Sequence, residues 1–480
     1  MTKFAVYCLA ILLLLSCLTV KFLAVGDPSD ESVISDERGN SPTSSDIAVQ
    51  RQVASTDGVA KQKTSEPKRL INASVDKERL RDKLKGMLLL GAYGDALGVP
   101  HELGGGALYG RIGQPEIAEA LQPFAVYRVD TAGAWGIWAT PARDKIGLPT
   151  DDTCYRFGIL HQWMNDLSTQ KTIPTLNEKQ FLSWLDQQAP VSEGAPQWTK
   201  IRLDFVQDLV KAINGAKRGK IVEPFYFPGD PVVFGPFLYL ELASIYAGRS
   251  QTEVFETFND FSVLDQQYGK FVTGMMSAML AKGIGASPED ERRFDRWFFE
   301  TADKVLKSNL GDAQYRGFVR EHFNAGKQIG IQNRDLDMKA FLQVLNRQVF
   351  LRPPPNDKHR TPNYEPLLFI RMIAAAVGYS DGSIKRALQV LAVAPGDSDT
   401  MASQLGSIVG AYCGEKKLRR PTVDLSADLT RVSDCVITEF GWDISEISDV
   451  LLRCQALLEA NRKRESSDSS TSVTPNRSLK

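Results

Sequence analysis

The chain has 480 residues, 43% of them hydrophobic, and its 57 Lys and Arg against 58 Asp and Glu leave a formal net charge of −1. A chain of this length and apolar content can bury a sizeable core, while its near-neutral balance gives no basic footprint for nucleic acid or for an anionic membrane surface. What remains is a protein that works on small molecules or on other proteins.

Lys3 precedes the apolar run Phe4 to Leu15, the pattern of a secretory or lipoprotein leader over residues 1–26. Three readings stand. Ala24-Val25-Gly26 offers a small-x-small cleavage site; Leu14-Leu15-Ser16-Cys17 resembles a lipobox that would put a lipid on Cys17; and an uncleaved anchor would be cut short by Lys21 before the ~20 residues a span needs. Each predicts export to the periplasm, the exterior or the cell envelope, with membrane contact only through this segment. Residues 27–73 are rich in Ser, Asp, Gln, Thr and Lys and almost free of aromatics, so they are expected to form a disordered linker. Residues 466–480 read as a disordered tail.

From residue 74 the pattern changes. Leu80, Leu84, Met87, Leu88 and Gly91 recur at three- and four-residue spacing, which predicts an amphipathic helix. The spacing returns at Phe157, Leu160, Trp163 and Met164; at Ile201, Phe205, Leu209 and Ile213; at Phe271, Met275 and Met279; at Leu367, Ile370, Ile373 and Val377; and at Leu405, Ile408, Val409 and Tyr412. Period-2 runs are few, Val126-Tyr127-Arg128-Val129 being the best. The expectation is an all-α fold: one compact multi-helix domain over residues 74–465, present as a monomer. The helical, charged segment from Glu289 to Asn346 reads as a peripheral insertion. Cys154, Cys413, Cys435 and Cys454 show no CxxC spacing, and three of them sit inside apolar helical patterns and read as buried thiols, with a bridge from Cys413 to Cys435 or Cys454 left open. His101, His161, His322 and His359 form no HExxH and no triad setting. Trp135 and Trp138 are placed in packing, with stacking on a base or sugar as the alternative.

Two short stretches concentrate acid: Thr150-Asp151-Asp152-Thr153 and Gly396-Asp397-Ser398-Asp399-Thr400. Each begins an apolar helical pattern, so each can be a helix N-cap. Brought together, four aspartates would repel one another and call for a shared proton or a hard cation such as Mg²⁺ or Mn²⁺, which takes carboxylate, hydroxyl and water oxygens. A third stretch, Gly86 to Glu102, carries Gly91, Ala92, Gly94, Ala96 and Gly98 around Asp95, leaving room for another backbone or a ligand. Gly406, Gly410 and Gly414 form a smooth ridge for close helix packing that would hold the Asp397 loop at a fixed depth.

Taken in order, GxxxxGxxxGDALGxPxE at 86–102, TDDT at 150–153 and GDSDTxxxxxGxxxGxxxG at 396–414 resemble the ADP-ribosylglycohydrolase family, which includes dinitrogenase reductase-activating glycohydrolase. The resemblance implies an all-helical domain whose cleft holds two Mg²⁺ or Mn²⁺ ions and receives ADP-ribose. It carries over Thr150, Asp151, Asp152, Asp397, Asp399 and Thr400 as metal ligands, with Glu102 as acid/base and Asp152 as the other catalytic carboxylate. Asp95 is assigned to orienting ligands or capping. Two ions ~3.5–4 Å apart would polarise a bound water for attack at an anomeric carbon, through an oxocarbenium-like state that nearby carboxylates stabilise.

The family's central glycine-rich segment ends in Met-Arg and is followed by a Thr-His pair. Here the corresponding residues are Phe227 to Pro236, from which Gly229, Asp230 and Gly235 are taken as substrate-binding, and Asn259-Asp260-Phe261-Ser262; neither pair is present. The function expected is an exported metal-dependent hydrolase cleaving an ADP-ribosyl or related N- or O-glycosidic bond of an ADP-ribosylated protein or a small riboside. The alternative is a non-catalytic binding or structural module that keeps the fold with a diverged substrate cleft.

Overall fold

Residues 73–98, 149, 151–170, 176–186, 235–261, 265–287, 290, 292–350, 365–394 and 397–471 are described by the computed structural model. They fall in the compact unit Arg69–Lys480, and no strand occurs among them. The fold is all-α, as the periodicity predicts. In chain order, α1 is Ala73–Gly98; α2, Asp151–Gly158, continues through a π-helical stretch, Ile159–Trp163, into α3, Met164–Thr169; α4 is Glu178–Asp186. Next come α5, Gly235–Tyr239, with the 3-10 stretch Leu240–Tyr246 attached; α6, Gln251–Phe261; α7, Tyr268–Ile284; α8, Phe294–Lys307; α9, Ala313–Gln332; and α10, Met338–Leu345. The last six are α11, Pro366–Tyr379; α12, Ile384–Ala392; α13, Ser398–Cys413; α14, Glu415–Leu418; α15, Ser426–Cys435; and α16, Ile444–Thr471.

The helix α1 forms against its own propensity. Gly86, Gly91 and Gly94 lie inside it, and each costs about 1 kcal/mol relative to Ala in a helix interior. Tertiary packing supplies what propensity does not: α1 lies along α13, and the two backbones touch. A Cβ on Gly86 would stand 2.7 Å from the Gly410 carbonyl oxygen, one on Gly406 2.8 Å from the Leu90 carbonyl carbon, and one on Gly98 2.8 Å from the Ser398 carbonyl carbon. The small residues on the two helices are therefore halves of one seam. Gly414 ends α13 at φ 77°, a left-handed turn that favours glycine.

Around this seam the core is apolar and aromatic. The middle helix α7 is buried along nearly its whole length, with Phe271, Met275 and Met279 inside, and it packs on α6, α13 and the 3-10 stretch. The segment from Glu289 to Asn346 is helical but not peripheral, which corrects the sequence reading. Trp297 of α8 stacks on Tyr412 of α13 with ring centroids 4.2 Å apart, and Phe298, Phe323 and Phe341 are buried in the same core. Charges such as Arg296, Glu300 and Lys307 occupy the outer face, while Asp295 is buried and paired with Arg293 and Arg334, so composition alone hides an amphipathic pattern.

Two further expectations are settled in part. Cys413, Cys435 and Cys454 are buried and none is in a disulfide, so the open bridge is absent; the side chain of Cys154 lies outside the described residues. The boundary expected at 465 falls inside α16, which runs to Thr471 and is supported by an Asn461 Nδ2–H donating to Glu465 Oε1 at 2.7 Å, one turn on. The leader, most of the linker, residues 472–480 and the candidate strand at Val126–Val129 lie outside the described residues. Among those described, no helix is long and apolar enough to cross a membrane.

Candidate metal centre

Three helices bring one carboxylate each to the same place. Asp95 stands near the end of α1, Asp152 is the second residue of α2, and Asp399 is the second residue of α13. One oxygen of each lies within 4.8 Å of the others, and the side chains are sealed from solvent, Asp95 at 0% and Asp152 and Asp399 at 1% exposure. Gly98 makes the meeting possible, because a Cβ there would overlap the Asp399 backbone. The Ser398 hydroxyl donates to the Gly98 carbonyl at 3.1 Å and pins the same junction.

Hydrogen bonds fix the carboxylates further. The Thr153 N–H, a free donor of the first turn of α2, is taken by Asp95 Oδ2 at 2.9 Å. The Thr400 hydroxyl donates to Asp152 Oδ2 at 2.9 Å, and the Thr400 N–H to Asp399 Oδ1 at 2.9 Å. Asp397 is buried at the N-cap position of α13 but makes no side-chain cap hydrogen bond, so capping does not account for it.

Charge decides what the cluster can do. At an effective dielectric near 20, two like charges 4 Å apart repel by about 4 kcal/mol, so three buried carboxylates are costly to ionise together without a cation. Burial first, then the Asp399 and Asp95 carboxylates and more weakly Asp397, hold the Asp152 carboxyl well above the ordinary range, with Arg156 pulling it down. Asp152 Oδ1 is buried and has no hydrogen-bond partner among the described residues. A hydroxyl, an orphaned carboxylate oxygen and two further carboxylates make an all-oxygen donor set that fits a hard divalent cation.

One helical turn below lies a polar layer that the motifs did not reveal. Arg156 and Glu241 form an ion pair at 2.9 Å, both side chains 1% exposed. The Arg156 Nε–H also donates to the Asp152 carbonyl at 2.9 Å, and its third nitrogen to the Ser403 hydroxyl. The Ser403 hydroxyl donates to the Gly91 carbonyl at 2.8 Å, and the Ser407 hydroxyl to Glu241 Oε1 at 2.6 Å. The signal was present in the sequence: Arg156 between Tyr155 and Phe157, and Glu241 inside Phe237-Leu238-Tyr239-Leu240-Glu241-Leu242, are charges in apolar helical runs, which are buried only with partners.

Of the residues expected at the site, Asp95, Asp152, Asp399 and Thr400 are brought together, with Asp397 near enough to act on Asp152. Asp151 opens α2, and its side chain lies outside the described residues, as do Thr150, Glu102, Gly229, Asp230, Trp135 and Trp138. Gly235 begins α5, and its N–H donates to Asp265 Oδ1 at 2.9 Å, so that amide is engaged by the protein itself.

No curated protein matches this chain. Among solved structures 32 chains match. One is described as an "ADP-ribosylglycohydrolase-related protein complex" and is similar at 15% identity over 79% of this chain and 99% of its own, with a TM-score of 0.39. A model of the ADP-ribosylglycohydrolase family matches residues 76–445, a span that takes in all three helices supplying the carboxylates. The chain therefore belongs to the ADP-ribosylglycohydrolase family.

Proposed function

We propose that the chain is an exported, metal-dependent hydrolase that cleaves an ADP-ribosyl or related N- or O-glycosidic bond, acting on an ADP-ribosylated protein or a small riboside with Mg²⁺ or Mn²⁺ as its ions. The observation that carries this reading is the convergence of Asp95, Asp152 and Asp399 from three helices around an orphaned oxygen of Asp152, in a family of metal-dependent glycohydrolases. A divalent cation held there supplies a Lewis acid that polarises oxygen and acidifies bound water.

The chain's own residues have distinct tasks. Asp152 and Asp399 would hold the cation, with Asp397, Asp151 and Thr150 completing the donor set carried by the two motifs. Thr400 orients the Asp152 carboxylate through the hydroxyl it donates. Asp95 ties the start of α2 to α1 while keeping an oxygen beside the cluster. Glu102 is the proposed acid/base that moves a proton to the leaving group or from water. Export rests on the leader from Met1 to Val25 and is tested by fractionating cells that express the full chain.

The activity is tested by incubating the full chain with ADP-ribosylated arginine, ADP-ribosylated serine and simple ribosides, with Mn²⁺, with Mg²⁺ and with a chelator. Chelator-sensitive release of ADP-ribose or ribose is expected from at least one substrate. Release from none of them would replace the hydrolase by a binding module.

A further inference from the structure

The polar layer beneath the carboxylates is in step with them. Gly91 precedes Asp95 by four residues, Arg156 follows Asp152 by four and Ser403 follows Asp399 by four. Four residues are about one helical turn, 5.4 Å of rise. Each carboxylate therefore has, one turn away on its own helix, a group in the Arg156 network: the Gly91 carbonyl on α1, the Arg156 guanidinium on α2 and the Ser403 hydroxyl on α13. Glu241 brings in the 3-10 stretch, and Ser407 grips it one turn further along α13.

We infer that Arg156 is the positioning residue of the carboxylate cluster: with Glu241 and Ser403 it locks the register of α1, α2 and α13 so that Asp95, Asp152 and Asp399 face one another. This rests on the proposed metal centre and adds to it a residue outside the motifs. A slide of α2 along its axis would carry Asp152 away from Asp95 and Asp399. The guanidinium opposes that slide through two acceptors outside α2, Glu241 Oε1 and the Ser403 hydroxyl, while its Nε–H, held by the Asp152 carbonyl on α2 itself, fixes the direction of the fork. A lysine ammonium is a point donor on a flexible stem and cannot reproduce this fork.

Stability alone is a weak reason for such a pair, since well-packed apolar residues of similar volume often replace a buried ion pair without loss. Charge alone does not explain it either: Arg156 eases ionisation of Asp152, but a lysine would supply the same charge without a fork that reaches three acceptors. Register is what the geometry leaves, and it makes a specific demand on cation affinity.

The test uses the full chain, stripped of metal by chelation and titrated with MnCl₂ by calorimetry, beside thermal melting without cation. The variants are Arg156→Lys, which keeps the charge opposite Glu241, and the double variant Arg156→Met with Glu241→Met, which leaves interior net charge unchanged and no charge unpaired. Both are expected to bind Mn²⁺ about 10–100-fold more weakly than the native chain, the range that outer-shell changes cost at metal sites. The double variant should melt close to the native chain without cation. Native affinity in either folded variant would overturn the inference, and so would an affinity loss seen only where the cation-free melting temperature also falls. If the double variant does not fold, Arg156→Lys decides. A native chain that binds no Mn²⁺ removes the proposed metal centre and this inference together; a native chain that binds, with variants that bind equally well, removes the inference alone.

Discussion

The molecule uses the same packing device twice, with different consequences. α1 crosses α13 through glycines, and α9 crosses α11 in the same way: a Cβ on Gly330 would stand 2.7 Å from the Tyr379 nitrogen, and one on Gly378 2.9 Å from the Lys327 carbonyl oxygen. Around the second crossing lie apolar and aromatic contacts, such as Phe341 stacked on Tyr379 with centroids 3.8 Å apart. Its buried carboxylate, Glu365, caps its own helix, accepting the Leu368 N–H at 2.6 Å. At the first crossing three buried carboxylates from three helices gather, and an arginine, a glutamate and two serines lie one turn below them. Close backbone approach is thus a structural device available to any helix pair. It becomes a site where buried charge is placed at the end of it.

The largest effect that would test this contrast comes from the carboxylates. Asp152→Asn and Asp399→Asn, each in the full chain, are expected to lower Mn²⁺ affinity beyond the roughly 10–100-fold of outer-shell changes, read by calorimetry. Both should raise the melting temperature of the cation-free protein, because each removes a buried carboxyl whose ionisation its two neighbours oppose, while an amide oxygen still accepts a hydrogen bond. A cation-free protein that loses stability on these changes would mean that the carboxylates are structural, as Glu365 is.

The sequence made the two acid clusters and both glycine rows legible, because each is a local pattern whose spacing reports a helix face or a cap position. It did not make their partners legible. Asp95 reaches the Thr153 N–H across 58 residues and Ser398 the Gly98 carbonyl across 300, and no local spacing encodes which helix end meets which. Arg156 and Glu241 were missed for a related reason. Each alone looks like a stray charge on an apolar face, and only their pairing at 2.9 Å makes burial affordable in energy. The misreading of Glu289 to Asn346 came from averaging composition over a segment whose aromatics point inward while charges such as Arg296 and Glu300 point outward.

A smaller effect separates the two crossings through their glycines. Gly410→Val would drive a side chain to 2.6 Å from the Gly86 carbonyl carbon, and Gly330→Val would meet backbone just as closely. Backbone cannot swing aside, so each should lose the 1–3 kcal/mol typical of overpacking, roughly, or more, measured by chemical denaturation without cation. The two should then part: Gly410→Val also weakens Mn²⁺ binding, since it forces α1 and α13 apart, whereas Gly330→Val binds Mn²⁺ as the native chain does. Equal loss of binding in both would mean that cation affinity follows global stability and not the α1–α13 register.

The smallest effect belongs to Glu365. Its carboxylate takes the Leu368 N–H in the first turn of α11, with Pro366 opening the helix, a position where proline costs nothing because its missing N–H would have had no partner. Glu365→Ala leaves that first-turn donor without its acceptor, in a buried setting, and should cost about 1 kcal/mol, the usual worth of a cap. Glu365→Gln keeps an acceptor oxygen and should recover most of the loss. Neither change should move the Mn²⁺ titration, because this carboxylate is not part of the Asp95, Asp152 and Asp399 group. The cluster carboxylate Asp152 stands with those of Asp95 and Asp399, one oxygen of each within 4.8 Å of the others, whereas Glu365 joins no such group among the described residues, and that convergence, not burial or acidity, is what marks one of the two as a ligand.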